Sequence, residues 1–216
     1  MNRKTANTIS LSLIALAGIA SALAYPGMAD TVPTHWNASG QADGFSSKLT
    51  GVLIGPLSAL GICVLMWVIP LISPKGFRTE GFASIINIFQ VALVVFMLGI
   101  GGIIILAGYG HDASVEKVVP MAVGALFIVL GNYMAKIRKN FFVGIRTPWT
   151  LASDEVWAKT HRLGGYSFVI GGVIMVVTPL LGLGHIVFTA VALTAGMLPV
   201  AYSFFAYKRI EGFGDE

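Results

Sequence analysis

Three histidines and three aspartates are the residues of this chain best suited to metal or acid–base chemistry: His35, His111, His185, Asp30, Asp43 and Asp112. Imidazoles and carboxylates together hold zinc, and an imidazole titrating near neutrality senses pH. The spacing favours neither use. No H-x-x-x-H pair stands on one helical face, so a metal site has the residue types but no ligand pattern. Nor does the sequence contain G-x-S-x-G, H-E-x-x-H or G-x-x-x-x-G-K-[ST], which leaves a hydrolase or ATPase without its motif. The polar clusters fit binding better than bond breaking, and no cofactor is implied. One cluster is residues 25–48, YPGMADTVPTHWNASGQADGFSSK, with His35, Trp36, Asn37, Gly40, Asp43, Gly44 and Lys48 as candidates. The other is residues 131–165, GNYMAKIRKNFFVGIRTPWTLASDEVWAKTHRLGG, with Asn132, Tyr133, Gly144, Arg146, Thr147, Pro148, Trp149, Trp157, His161 and Arg162.

The elements that must position these clusters are membrane helices. Of 216 residues, 56% are hydrophobic and 11% charged, with mean hydropathy +0.81. A soluble domain carries about 25% charged residues, so lipid is the main solvent here. Stretches free of Asp, Glu, Lys and Arg run 5–29, 49–74, 81–111, 118–135 and 163–207. A crossing needs about 20 residues. The last stretch accommodates two, with Gly182-Leu183-Gly184-His185 as the turn between them. The expectation is an all-α integral membrane protein with six spans, near 7–24, 51–72, 82–107, 116–135, 163–181 and 186–207. Pro179 and Pro199 should kink or end a turn locally. Asn87 and Gln90, three residues apart in the third span, should hydrogen-bond to other helices. No span carries an acid or a base, which weighs against an ion-coupled pump. Cys63, alone in an apolar run, is read as a small core residue.

Six crossings place the N-terminus, the 73–81 loop, the second cluster and the C-terminus on one side. That side holds Arg3, Lys4, Lys75, Arg78, Lys136, Arg138, Lys139, Arg146, Lys159, Arg162, Lys208 and Arg209; the other holds Lys48 and Lys117. The positive-inside rule puts the twelve, and both termini, in the cytoplasm. The same asymmetry explains the net charge of +4 without any direct contact to nucleic acid. Arg3, Lys4 and Ala22-Leu23-Ala24 frame the first apolar run like a secretory signal, but the run exceeds the usual core of about 7–15 residues. The first helix is expected to be retained. The chain then forms one membrane domain, 1–216, with an extracytoplasmic loop at 25–49 and a cytoplasmic loop at 136–162.

Within the outer loop, Asp43-Gly44 reads as a turn pair and Gly40 as a second bend. Trp36 suits the membrane–water boundary. The loop either caps the bundle, with His35 and Asp43 holding it together, or presents a recognition surface. In the inner loop, Ser153 is a good N-cap for a short interfacial helix over 154–162, with Asp154 and Glu155 in its first turn and Glu155 four residues before Lys159. Phe141, Phe142, Trp149 and Trp157 would sit at headgroup level, with Lys136, Arg138, Lys139 and Arg146 facing anionic lipid. Alternatively this block docks a partner, Arg146 or Arg162 pairing a carboxylate.

The wording of the two clusters, HWN followed by G and DG in the first and FVGIRTPWTL followed by EVW and KTHRLGG in the second, resembles the SdpI-like immunity protein family of bacteria. The two motifs come in that family's order and span nearly the whole chain. The resemblance implies a plasma-membrane protein whose partners are membrane lipid, a secreted toxic peptide outside and, in some members, a small cytoplasmic repressor told of the toxin's presence. Two other classes remain. One is a transporter or flippase-like protein for an amphipathic solute; the other is a membrane enzyme with a metal on its outer face.

Topology is directly testable. With Cys63→Ser as background, single cysteines at Ser39 and Ser114 should react with an impermeant thiol reagent on intact cells. One at Ala152 should not. Labelling of position 152 from outside reverses the orientation.

Overall fold

The computed structural model describes residues 1–77 and 79–214; Arg78, counted above among the basic residues, lies outside them. The described residues form seven α-helices: α1 (Arg3–Ala24), α2 (Lys48–Ile72), α3 (Ala83–Gly108), α4 (Val115–Met134), α5 (Pro148–Ala152), α6 (Asp154–Val177) and α7 (His185–Ile210). All but α5 are long and apolar enough to cross a membrane, giving the six expected spans. A β-hairpin, β1 (Thr31–Trp36) and β2 (Ala42–Ser47), joins α1 to α2.

Local chemistry starts the helices. The side chains of Asn2, Ser47 and Ser153 accept from the backbone N–H of Thr5, Thr50 and Val156, capping α1, α2 and α6. Thr147 and Thr150 exchange hydrogen bonds as a capping box around Pro148, the first residue of α5. One expectation is corrected here. The short helix at 154–162 and the span at 163–181 are a single helix, α6, to Val177. Gly164 and Gly165 do not break it: both are buried, and a Cβ on Gly165 would stand 2.9 Å from the carbonyl oxygen of Gly131. They serve close helix packing. Ser153 is the expected N-cap, and Glu155 pairs with Lys159 at 2.7 Å. Pro179 sits in the 3-10 turn Thr178–Leu181 that ends α6, whereas Pro199 lies buried inside α7.

The helices pack as two groups, α1–α2–α3 and α4–α6–α7, joined through α3 and α4. Lipid tails are as apolar as leucine, so association rests on close packing and interhelical hydrogen bonds. Both devices are present. Gly55 of α2 meets Gly101 of α3, a Cβ on either lying 2.9 Å from the other's Cα. On α4 and α6, Gly124 faces Gly172 and Gly131 faces Gly165, two contacts one heptad apart on each helix.

The hydrogen bonds concentrate in the first group. Gln90, fully buried, brings its Nε2 within reach of Asn7 Oδ1 (3.1 Å), Ser10 Oγ (3.2 Å) and Cys63 Sγ (3.8 Å). The Trp67 indole donates to the same Asn7 oxygen at 2.9 Å, and Asn87 donates to the Met1 carbonyl at 3.1 Å. Gln90 thus makes the interhelical bonds expected of it, whereas Asn87 bonds to the backbone just ahead of α1. These bonds, with Ser21 Oγ to the Val52 carbonyl at 3.1 Å, make α1 an integral part of the bundle.

At the end of the bundle away from the hairpin, Phe82, Ile85, Ile86 and Phe89 of the α3 entry pack on Met134, Ile137 and Trp157. This cluster closes the two groups upon each other. A second cluster, Met28, Val32, Val52 and Ile104, seats the hairpin on α2 and α3.

The glycine contact gives a controlled comparison. Gly101→Ala should lower the thermal midpoint of the detergent-solubilised protein, at a cost of about 1–3 kcal/mol for overpacking against Gly55. Gly102→Ala, whose Cβ meets nothing within 4 Å, should be neutral or slightly stabilising. Equal midpoints for the two variants would contradict the packing account.

Candidate functional site

The residues expected to form an outer loop fold as the hairpin. Thr31 pairs with Ser47, Val32 with Ser46 and Pro33 with Phe45; irregularities follow before His35 meets Gly44 and Trp36 meets Ala42. Asp43-Gly44 therefore lies within β2 and is not a turn, correcting the sequence reading. The turn is made by Asn37, whose Oδ1 accepts from the N–H groups of Ser39 (2.9 Å) and Gln41 (3.0 Å). Gly40 completes it at φ +78°, as expected of a tight bend. A short polar side chain satisfying the loop's own backbone outcompetes the Asp-Gly pair, which is drawn into the strand by its register opposite His35.

The other hairpin candidates hold it in shape. Asp43 Oδ1 lies 2.5 Å from His35 Nδ1, on an exposed edge. A Cβ on Gly44 would stand 2.8 Å from the Cβ of His35, so glycine makes room for the imidazole. Lys48 pairs with Asp30 at 2.8 Å and lies over the Tyr25 ring at 5.1 Å. The Lys48 hydrogen bond holds the Asp30 carboxyl below its ordinary value. Val32, wholly buried, pins the base.

The tip of the hairpin reaches the second helix group: a Cβ on Gly40 would lie 2.7 Å from the Cβ of Glu116 at the start of α4. Beneath it, the hairpin, α3, α4 and the first turns of α7 enclose a cleft of about 340 Å³. Its walls include Trp36, Ile100, Ile103, Val119 and Phe188; its polar side chains are Thr34, His35, Asn37, Glu116, His185 and Thr189. This volume and mixed lining suit one apolar segment entering beside a few polar contacts. Four candidates, His35, Trp36, Asn37 and Gly40, line the cleft; Asp43, Gly44 and Lys48 do not. Glu116 and Phe188 were missed because no local pattern tells that the start of α4 and α7 meet the hairpin. Among the described residues, no three His, Cys, Asp or Glu side chains come together as metal ligands.

The second cluster is organised around His161, which is fully buried. Its Nδ1 lies 2.9 Å from the Trp157 carbonyl, and its Nε2 accepts the Ile145 N–H at 3.0 Å. A carbonyl needs a donor and an N–H an acceptor, so the ring is the neutral Nδ1–H tautomer. It stacks on Trp157 at 4.0 Å, while the Trp157 indole donates to the Ile137 carbonyl at 2.7 Å. Trp157 is thus core, 3% exposed, and not the interfacial anchor expected from sequence. Gly144 crosses over this pair at φ +108°, where a Cβ would lie 2.3 Å from His161 Nε2.

The rest of the cluster divides between internal ties and surface. Thr147 Oγ1 is 3.0 Å from Ser203 Oγ, linking α5 to α7, and Trp149 meets Phe204 edge-on at 5.1 Å. Arg146 donates to the Phe141 carbonyl. Tyr133 packs edge-on to Phe89 and lies under Lys136. Asn132 donates to the Ile128 carbonyl of its own helix. Pro148 and Arg162 are exposed. Lys139 pairs with Asp154 at 2.5 Å, so it is partly occupied within the chain. Sequence reasoning missed Asn140, which is buried. Its Nδ2 donates to the Arg138 and Val143 carbonyls and its Oδ1 accepts from the Phe142 and Val143 N–H groups, folding the loop around one amide.

His161→Phe preserves volume and stacking but leaves the Ile145 N–H unpaired, at an expected cost of about 1–3 kcal/mol. Gly144→Val adds strain at a positive φ as well as the clash with the imidazole, and should lower membrane abundance further. Immunoblotting of membranes and thermal midpoints check both. Normal abundance of Gly144→Val removes the strain account.

Comparison with known proteins brings both clusters together. Residues 136–203 match the model of the SdpI/YfhL protein family, and residues 12–60 match Domain of unknown function (DUF1648). The first match contains most of the His161 cluster and the second contains the hairpin. The chain is 24% identical over 208 residues to "Immunity protein SdpI" of Bacillus subtilis (strain 168), covering 95% of this chain and 98% of that protein. No solved structure matches it.

Proposed function

Because the chain belongs to the SdpI-like family of multi-pass bacterial plasma-membrane proteins, we propose that it is an immunity protein that protects its bacterium against a secreted toxic peptide. It acts as one membrane domain, with the hairpin outside and the His161 cluster and both termini in the cytoplasm. The observation that carries this reading is the cleft: the family-like motif residues His35, Trp36, Asn37 and Gly40 form one wall, and the α3, α4 and α7 ends complete it. An apolar segment of the toxin enters against Ile100, Ile103 and Phe188, with Glu116 and His185 at its polar groups. Binding through a few placed side chains makes protection selective.

Relay of the toxin's presence to a small repressor is the finer part of this proposal. The docking surface is the exposed part of the second cluster, with Pro148 and Arg162, because the buried part is committed to holding itself together. A second reading, passage of an amphipathic solute, has one specific support. Ile100 and Ile103 also line a groove of about 390 Å³ between α3 and α4, so the cleft adjoins an apolar lateral path.

Expression of the protein should raise the survival of a sensitive bacterium exposed to one or a few members of a panel of secreted membrane-active peptides. Trp36→Ala, and Ile103→Trp, which fills the cleft, should reduce that protection with membrane abundance unchanged; Asp43→Ala should weaken it by loosening the hairpin. Survival unaltered across a panel containing a toxin from close relatives would refute immunity. Gradient-dependent movement of labelled peptide in proteoliposomes would favour transport.

A further inference from the structure

At the end of the bundle that carries the second cluster, a recess of about 420 Å³ opens between α6 and α7, lined by Lys159, Tyr202, Phe205 and Arg209 among others. Further along the same two helices runs a groove of about 320 Å³ that includes Ile170, Gly171, Thr194 and Leu198. The two are in register. Lys159 and Ile170 are eleven residues apart, as are Leu198 and Arg209. Eleven residues make about three helical turns, so both pairs repeat on one face of their helix. The α6–α7 face is therefore cationic at its end, aromatic just inside it, and apolar with small residues beyond.

We propose that this face binds one phospholipid with an anionic headgroup, its phosphate between Lys159 and Arg209 and an acyl chain laid along the groove. Charge favours an anion. Glu155 offsets Lys159 at 2.7 Å, but among the described residues Arg209 pairs with no carboxylate, and Lys208 adjoins it. Length favours a lipid over a free ion. At 1.5 Å per residue, Arg209 and Leu198 are about 16 Å apart along α7, close to half of the roughly 30 Å hydrocarbon core. Phe205, 65% exposed, stands between them as the wall for the upper chain. A basic pocket between membrane helices at the cytoplasmic side is the setting in which anionic headgroups are held. The site lies on the opposite side of the bundle from the hairpin cleft and does not rest on the immunity reading.

The experiment takes the purified full-length protein in neutral detergent and adds phosphatidylglycerol, phosphatidylcholine or inorganic phosphate. Native mass spectrometry counts retained lipid, and the thermal midpoint is measured in parallel. One phosphatidylglycerol should be retained and should raise the midpoint, whereas phosphatidylcholine and inorganic phosphate should not. Arg209→Gln should weaken retention about fivefold and Lys159→Gln/Arg209→Gln further, with Arg209→Lys restoring most of it. Thr194→Trp, which obstructs the groove without changing charge, should also weaken it, and Lys136→Gln, away from the recess, should not. Equal retention of the two lipids, or charge variants that keep phosphatidylglycerol unchanged, would overturn the proposal. Equal stabilisation by inorganic phosphate would assign the recess to a free anion and overturn the lipid part. Should a charge variant fail to fold, the lipid comparison on the wild-type chain and the Thr194→Trp result still decide.

Discussion

Apolar side chains gain nothing from leaving a solvent that is itself hydrocarbon, and every polar group within it must find a partner in the protein. The rest of this structure depends on that constraint. It explains why the helix contacts rest on glycine: Gly55 on Gly101, Gly124 on Gly172, Gly131 on Gly165. Backbones brought that close gain dispersion contacts that bulkier pairs would forfeit. It also explains why the buried polar residues converge. Gln90 serves Asn7, Ser10 and Cys63 together, and Asn7 serves Trp67 as well. A lone amide facing lipid would be costly, whereas the same amide shared by three helices sets their rotation and register.

The two helix groups use these devices differently. The first is tied by side-chain hydrogen bonds around Gln90, the second by glycine contacts along α4 and α6. Between them, the tight joint is at the end near Trp157, where Phe82, Phe89, Met134 and Ile137 pack into one cluster. Nearer the hairpin, side chains of the two groups leave the cleft and the adjoining groove between them. The His161 cluster is thus a clamp on the closed end. Its imidazole, with one nitrogen donating and the other accepting, joins α6 to the loop that precedes α5, and Thr147 and Ser203 add α7. Most buried polar side chains here are satisfied within the chain; among the described residues the Thr160 hydroxyl is the exception, buried with no hydrogen-bond partner.

Much of this was legible in the sequence, for physical reasons. Charge-free stretches mark spans because lipid excludes charge, and all six helices followed. Ser153 as a cap, Glu155 with Lys159, and the bonding of Gln90 were local or compositional signals. What escaped was set by contacts distant in the chain. Trp157 reads as an interfacial residue by type, yet a carbonyl twenty residues earlier, that of Ile137, draws it into the core. Asp43-Gly44 reads as a turn by propensity, yet Asn37 captures the turn five residues upstream of Ala42 with its own side chain, and register leaves the pair in a strand. Asn140 resembles any loop asparagine until its four bonds are counted. Of the cleft, only the hairpin wall was foreseeable; Glu116 and Phe188 arrive from helices whose ends carry no motif.

The hairpin is rooted in one helix group and rests on the other. Val32 seats its base among Met28, Val52 and Ile104, while Gly40 at its tip touches Glu116 of α4. It is a cantilever whose free end leans on the opposite bank. Residues 109–114 join α3 to α4 at this same end, so the two banks are tethered where the hairpin spans them. The cleft therefore has a roof held at both ends, by the buried Val32 at its base and by the perch on Glu116 at its tip, and the room beneath is set by how that tip sits.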